Sequence, residues 1–237
     1  MHRFVLNLVT AGLVLASAGT AAAQNAHLYA VHGIPGGDLG LSAALPVDVS
    51  VNGACALTDF RFGQVRGPLS LPPGNYTFEI KLNLGGEPCT GPTAIGPAVI
   101  PLAAGENATV IAHLTAGGAP TASKFVNDVS NTRAGRARIV AHHTAAAPAV
   151  DVYVGRKLSD PTAPALIVPG VVNGDQAGAP LQPGNWQAAL KLAGTDTVAL
   201  GPATVRLRPF TAYFVYAVGS ASTGSLTFIV NAIDSRR

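Results

Sequence analysis

Residues Leu71-Pro72-Pro73-Gly74-Asn75-Tyr76-Thr77-Phe78-Glu79-Ile80-Lys81-Leu82 decide the fold. The same string returns later in the chain as Leu181-Gln182-Pro183-Gly184-Asn185-Trp186-Gln187-Ala188-Ala189-Leu190-Lys191-Leu192. Each opens on turn chemistry, in which proline fixes φ and glycine or asparagine accepts a positive φ. Past the turn, each string alternates. Tyr76, Phe78, Ile80 and Leu82 fall on one face, with Thr77, Glu79 and Lys81 on the other. In the second string Trp186, Ala188, Leu190 and Leu192 take the apolar face, with Gln187 and Lys191 opposite. Strand side chains alternate sides, so a period of two with one wet face predicts a half-buried strand after each turn.

Three further matches keep the same order. Pro46-Val47-Asp48-Val49-Ser50-Val51 pairs with Ala149-Val150-Asp151-Val152-Tyr153-Val154, and Ile95-Gly96-Pro97-Ala98 with Leu200-Gly201-Pro202-Ala203. Phe125-Val126-Asn127 pairs with Ile229-Val230-Asn231. Ordered self-similarity of this kind marks a duplicated structural unit. Asn131 to Ala137 is polar, basic and without period, and is expected to be the boundary. Short alternating runs between Gly/Pro-rich turns predict an all-β chain of two tandem immunoglobulin-like β-sandwich domains, with no amphipathic helix. The expected divisions are a cleaved signal peptide over 1–23, a first repeat over 24–132 and a second over 133–237.

The N-terminal expectation rests on His2 and Arg3 followed by the apolar stretch Phe4 to Ala18, which is short and interrupted for a bilayer span. Ala21-Ala22-Ala23 supplies the small residues of a cleavage site, so Gln24 is the expected mature start. No cysteine follows the apolar run and no twin arginine precedes it. The reading is therefore an exported protein of the periplasm, extracellular space or cell surface, with no transmembrane segment in the mature chain. Charged residues make up only 11% against 48% hydrophobic, and the latter fall in short alternating runs, which argues for folded β-structure rather than a solvated tail. Residues 24–133 hold five Lys/Arg and seven Asp/Glu, a net −2; residues 134–237 hold nine and five, a net +4. Arg206 and Arg208 lie two apart on one strand, which reads as a wet sheet face, and nucleic acid is not an expected partner.

Ala137-Arg138-Ile139-Val140-Ala141-His142, followed by Ala147-Pro148-Ala149-Val150-Asp151-Val152-Tyr153-Val154, resembles the opening of the bacterial domain-of-unknown-function family DUF4397. Its members begin with a strand ending in histidine, then a Pro-Ala-Val-Asp-Val-Tyr-Val strand, then a proline-glycine turn such as Pro183-Gly184. The resemblance covers most of 137–237 and, more weakly, 27–130. In the first repeat His32 is followed by an insertion, Gly33 to Leu45, and Ser50 replaces the tyrosine. The resemblance implies a secreted or surface protein, often with tandem domains, and carries over no catalytic residue.

Cys55 and Cys89 are the two cysteines of an exported chain, and a structural disulfide is the expected state. They have no Cys-x-x-Cys spacing and no nearby histidine, as a redox or metal pair would. His142 and His143 are adjacent and, on a strand, must point to opposite faces, so no metal site is expected. His32 and His142 are read as repeat-related and structural, holding the first turn. Asp48 and Asp151 are read as outward, solvated or turn-pairing carboxylates, without the second carboxylate that glycoside chemistry needs. The sequence lacks nucleophile-elbow, zinc-protease and phosphate-loop patterns, and no catalytic residue or cofactor is expected.

These readings favour a non-enzymatic structural or interaction module of the envelope or extracellular space. The alternative is a small-ligand or glycan-binding protein using Tyr153, outward on its strand. One stretch breaks the alternation. Ala212-Tyr213-Phe214-Val215-Tyr216-Ala217-Val218 is apolar on both faces and should be covered on both. Tyr213, Phe214, Val215 and Tyr216 are therefore candidate interface residues, between domains or between chains by self-association.

Overall fold

The computed structural model describes residues 23–132, 135–160 and 165–236. The expected signal segment lies outside the described residues, apart from its last position. Among the described residues sixteen strands follow one another almost without helix. The first unit holds β1 (Ala26–His32), β2 (Val47–Val51), β3 (Ala54–Phe60), β4 (Val65–Leu71), β5 (Gly74–Leu82), β6 (Thr93–Leu102), β7 (Asn107–Leu114) and β8 (Pro120–Val126). The second holds β9 (Ala137–His143), β10 (Val150–Gly155), β11 (Ala165–Val171), β12 (Gln176–Leu181), β13 (Gly184–Leu192), β14 (Val198–Leu207), β15 (Thr211–Val218) and β16 (Thr227–Asp234).

Each unit is a sandwich of two four-stranded sheets with the same strand order. The inner sheets run β4-β1-β7-β8 and β12-β9-β15-β16; the outer sheets run β3-β2-β5-β6 and β11-β10-β13-β14. The first strand of each unit pairs in parallel with the seventh, β1 with β7 and β9 with β15. The alternating strings after the two Pro-Gly-Asn turns are β5 and β13, each central in its outer sheet. Tyr76 donates its hydroxyl to the Pro72 carbonyl at 2.7 Å, and Trp186 donates Nε1–H to the Gln182 carbonyl at 2.8 Å. Each aromatic ring thus joins the core while its polar tip closes the turn that precedes it.

Leu28, Val47, Val49, Phe78, Ile100 and Val110 are buried between the first two sheets. Val150, Val152, Val154, Leu190, Tyr213 and Val215 do the same in the second unit. A further apolar cluster lies where the inner sheets face each other. Val31, Ile111 and Phe125 from the first unit meet Ala212, Phe214, Tyr216, Val218, Ile229 and Ile233 from the second. Phe214 and Tyr216 therefore face the other unit, whereas Tyr213 and Val215 turn into their own core, as alternation along one strand requires.

Polar clamps flank this seam. The insertion Gly33–Leu45 folds into a 3-10 turn at Gly36–Leu39, where a side chain on Gly36 would collide with the Ser42 carbonyl at 1.7 Å. The turn presents Asp38, which accepts hydrogen bonds from Thr223 at 2.6 Å and Ser225 at 2.7 Å. Asn173 donates to the Leu114 carbonyl of the first unit at 2.9 Å and to Ala145 of its own at 2.7 Å. Arg138 pairs with Asp128 at 3.0 Å.

Candidate functional site

The outer sheets are organised by one repeated carboxylate. Asp48 accepts hydrogen bonds from the Asp59 N–H (3.0 Å), the Asn83 amide (3.0 Å) and the Cys89 N–H (2.8 Å). Asp151 accepts from the Gly170 N–H (2.8 Å) and the Gly194 N–H (3.0 Å). Both point away from the core and are buried under turns they bond, so of the two expectations, solvated or turn-pairing, the turn-pairing one holds. Folded-over loops cover them, and an ionised carboxylate is the side chain able to accept several backbone donors at once. Burial pushes Asp48 up, but the Cys89, Asp59 and Asn83 donors together hold it below the usual carboxylate range. The Gly194 and Gly170 donors hold Asp151 low in the same way.

Cys55 and Cys89 form a disulfide with Cα atoms 5.7 Å apart, closing a sequence separation of 34. In register, Cys55 lies beside Ser50 on the wet face of the first outer sheet. Ser50 donates to Glu79 at 3.3 Å, and Glu79 also meets Lys81 at 3.7 Å. That face is tied to itself.

The second unit keeps the register and changes the cover. Tyr153 stands where Ser50 does, Ala189 where Glu79 does and Ile167 where Cys55 does. The result is an open groove of about 630 Å³ lined by Tyr153, Leu158, Ile167, Gln187, Lys191 and Val198 among others. Ile167 and Val198 are 49% and 48% exposed. The Lys191 ammonium lies 4.6 Å from the Tyr153 ring centre and 2.9 Å from Asp196. The Asp196 carboxylate raises the Lys191 pKa above its ordinary value. Gln187 accepts the Leu158 N–H at 2.7 Å, fixing the groove rim.

Sequence reasoning passes over Arg156, just past the end of β10. Its guanidinium stacks 4.2 Å from the Trp186 ring centre and donates to the carbonyls of Asn185 (3.1 Å) and Pro183 (3.2 Å). Gly184, at φ +126°, makes the seat: a side chain there would meet Arg156 Nη1 at 2.5 Å. Asn185 in turn pairs in register with Arg206 on β14, so the two arginines flank one residue. The repeat carries a signal, since the residue aligned with Arg156 in the first unit is Gly53.

The histidines divide by face. His32 Nε2 meets the Leu45 carbonyl and His143 Nε2 the Pro148 carbonyl, both at 2.9 Å. The repeat-related partner of His32 is therefore His143, not His142: both close their seven-residue strands and hold the following turn. His142 instead enters the seam, stacked on Tyr216 at 4.5 Å and edge-on to Phe125 at 4.6 Å. Neither of its ring nitrogens makes a well-aligned hydrogen bond. Burial lowers its pKa to about 4, opposed by weaker contributions from the Val215 backbone, the Gln176 side chain and the Val140 backbone. Among the described residues no three His, Cys, Asp or Glu side chains converge as a metal site. An apolar cavity of about 40 Å³ in the first core has room for about one water and almost no polar surface to hold it.

The geometry defines a two-unit, all-β sandwich protein with one self-covered and one open outer face. The chain belongs to the DUF4397 family of domains of unknown function, whose family model matches residues 15–153, through the first unit and into β10. No curated protein matches it. Among solved structures it is similar to a candidate cell adhesion protein of Bacteroides ovatus, with 12% identity and TM-score 0.29, over 90% of this chain and 98% of that one. A second candidate cell adhesion protein, from Bacteroides uniformis, gives 9% identity and TM-score 0.27, over 90% and 97%. The TIE protein of Bacillus anthracis gives 10% identity and TM-score 0.24, over 83% of this chain and 33% of that one. Likenesses this distant carry no argument about function.

Proposed function

We propose that the protein is a non-enzymatic interaction module, exported to the bacterial envelope or extracellular space, that holds a macromolecular partner on the outer face of its second unit. The observation that carries this reading is the contrast between the two outer faces. One register gives a disulfide-covered, internally paired surface in the first unit and an open groove beside Tyr153 in the second. The disulfide and the signal-like N-terminus support an oxidising compartment. Among the described residues no helix is long and apolar enough to cross a membrane.

A sugar-stacking site at Tyr153 is the weaker alternative. Lys191 already covers a face of the ring, and that contact would have to be given up for a sugar to stack there. A photo-cross-linking residue placed at Ile167 and, in separate molecules, at the exposed Val126 of the first unit tests the proposal in the native envelope fraction. Discrete heavier adducts from Ile167 and none from Val126 are expected. Equal adducts from both sites, or none from either, would overturn it.

A further inference from the structure

Among the described residues the four sheets have eight edge strands, and seven of these are blunted. An exposed edge offers unpaired N–H and C=O groups to another strand, and proline, lysine or a bulge on the edge opposes that pairing. Pro68 lies in β4, Pro97 in β6, Pro120 in β8, Pro169 in β11, Pro180 in β12 and Pro202 in β14. β3 has no proline, but its register with β2 slips twice and the Cys55–Cys89 bridge holds it. The remaining edge is β16, eight residues without proline or glycine, paired with β15 in an unbroken register.

β16 also lacks the device that closes its counterpart β8. Ala30 and Ala141 each stand two residues before a turn-holding histidine, and they pair with Val110 and Val215. Those valines pair in turn with Lys124 on β8 and Val230 on β16. Lys124 ties β8 across the sandwich, donating to the Pro101 carbonyl of β6 at 2.7 Å and pairing with Glu106 at 2.7 Å. Val230 is 45% exposed. The carbonyl aligned with that of Pro101 belongs to Arg206 on β14 and accepts from the Tyr213 hydroxyl of β15 at 3.1 Å, so that bond does not call on β16. On this face β16 presents Phe228, Val230 and Ala232, a row without charge.

The row is its own complement. An isologous contact sets two copies of one strand antiparallel about a two-fold axis. With the axis at Val230, Val230 meets Val230 and Phe228 meets Ala232, so a large side chain faces a small one on either side of the centre. Residues directly opposite share a face of the sheet, so the two apolar rows join on the core side of both copies.

We propose that β16 is a self-association edge, through which two copies of this chain pair Thr227–Asp234 antiparallel about an axis at Val230. This edge is distinct from the outer face of the second unit and does not depend on that face holding a partner.

A single strand pair belongs with the small interfaces, below about 1,200 Å², so the dimer should depend on concentration. Sedimentation velocity of the full mature chain across a wide range of concentration should show monomer giving way to dimer. Val230→Lys sets two ammonium groups opposite each other at the axis and should weaken association at least about tenfold, with an unchanged thermal melt. Val230→Glu should do the same. An equimolar mixture of the two variants should recover the dimer, because opposite charges then meet across the axis. Monomer at every concentration would overturn the proposal, even where a photo-cross-linking residue at Val230 captures another protein. A dimer that survives Val230→Lys, or a mixture that stays monomeric, would overturn it as well.

Discussion

The two units were built to one plan and then covered differently. Asp48 and Asp151 hold equivalent loops, His32 and His143 hold equivalent turns, and Tyr76 and Trp186 close equivalent corners. These shared contacts bond side chain to backbone, the kind of interaction that fixes a turn whatever the surface does. Differences gather on the faces. On the inner sheets Phe214, Tyr216 and Val218 stand where the first unit has Thr109, Ile111 and His113, so the seam side of β15 is apolar where that of β7 is partly polar. On the outer sheets Tyr153 and Ile167 stand where it has Ser50 and Cys55. A sheet face can thus be reassigned from surface to seam, or from stapled to open, without disturbing the frame that carries it.

The inner-face difference is the one most sharply broken. Phe214 is 1% exposed and central to the seam between units. Phe214→Ala should lower stability by about 3–5 kcal/mol, the usual cost of truncating a buried phenylalanine. It should also split unfolding into two steps, because the loss falls on the contact that couples the units. Urea denaturation followed by far-UV circular dichroism and by Trp186 emission checks this. Coincident transitions at wild-type stability would mean that the seam contributes little.

The outer-face difference is next in size. Cys55→Ser with Cys89→Ser removes a loop closure that contributes about 3–4 kcal/mol in the chain-entropy model. The loss belongs to the first unit, while Trp186 reads the second. Circular dichroism should therefore begin to change at lower denaturant than tryptophan emission, and the gap should vanish in the oxidised wild type. A midpoint unchanged by the double substitution would show that Asp48 alone holds the loop.

Much of this architecture is legible in the chain. Period-two alternation after Pro-Gly-Asn marks β5 and β13, and an apolar run on both faces marks β15 as doubly covered. Cys55 and Cys89 can be paired from their number and compartment. Contacts set by register and loop closure escape such a reading. Matching His32 to His142 is an error of one residue, invisible until the strands are aligned on their partners. Whether Asp48 is solvated or turn-pairing stays open in the sequence, because alternation reports direction relative to the core and not the loops that fold over the other side. Arg156 is missed because it lies beyond the end of its strand, on a seat created by a glycine twenty-eight positions away.

His142 offers the smallest and most selective effect. Its place in the first unit is taken by Val31, so the seam pairs an apolar residue from one side with an ionisable one from the other. The ring is stacked among Phe125, Phe214 and Tyr216, and no charged side chain contributes to its titration. Burial holds its folded pKa at about 4, below the ordinary 6.5. Between those values the unfolded chain binds a proton that the folded chain refuses. The contribution to stability is therefore complete above about pH 6.5 and is lost as pH falls toward 4. At pH 5 the loss from this residue amounts to about 2 kcal/mol relative to pH 7. His32, His113 and His143 are lowered by burial too and contribute in the same direction, so acid sensitivity alone does not identify the group responsible. His142→Phe does. It keeps a ring between Phe125 and Tyr216 and removes the proton site, so the fall in stability from pH 7 to pH 5 should shrink by about 2 kcal/mol while the other histidines keep their share. An undiminished acid dependence in His142→Phe would show that the seam admits the charged ring, and that the units part, or let water between them, before the proton binds.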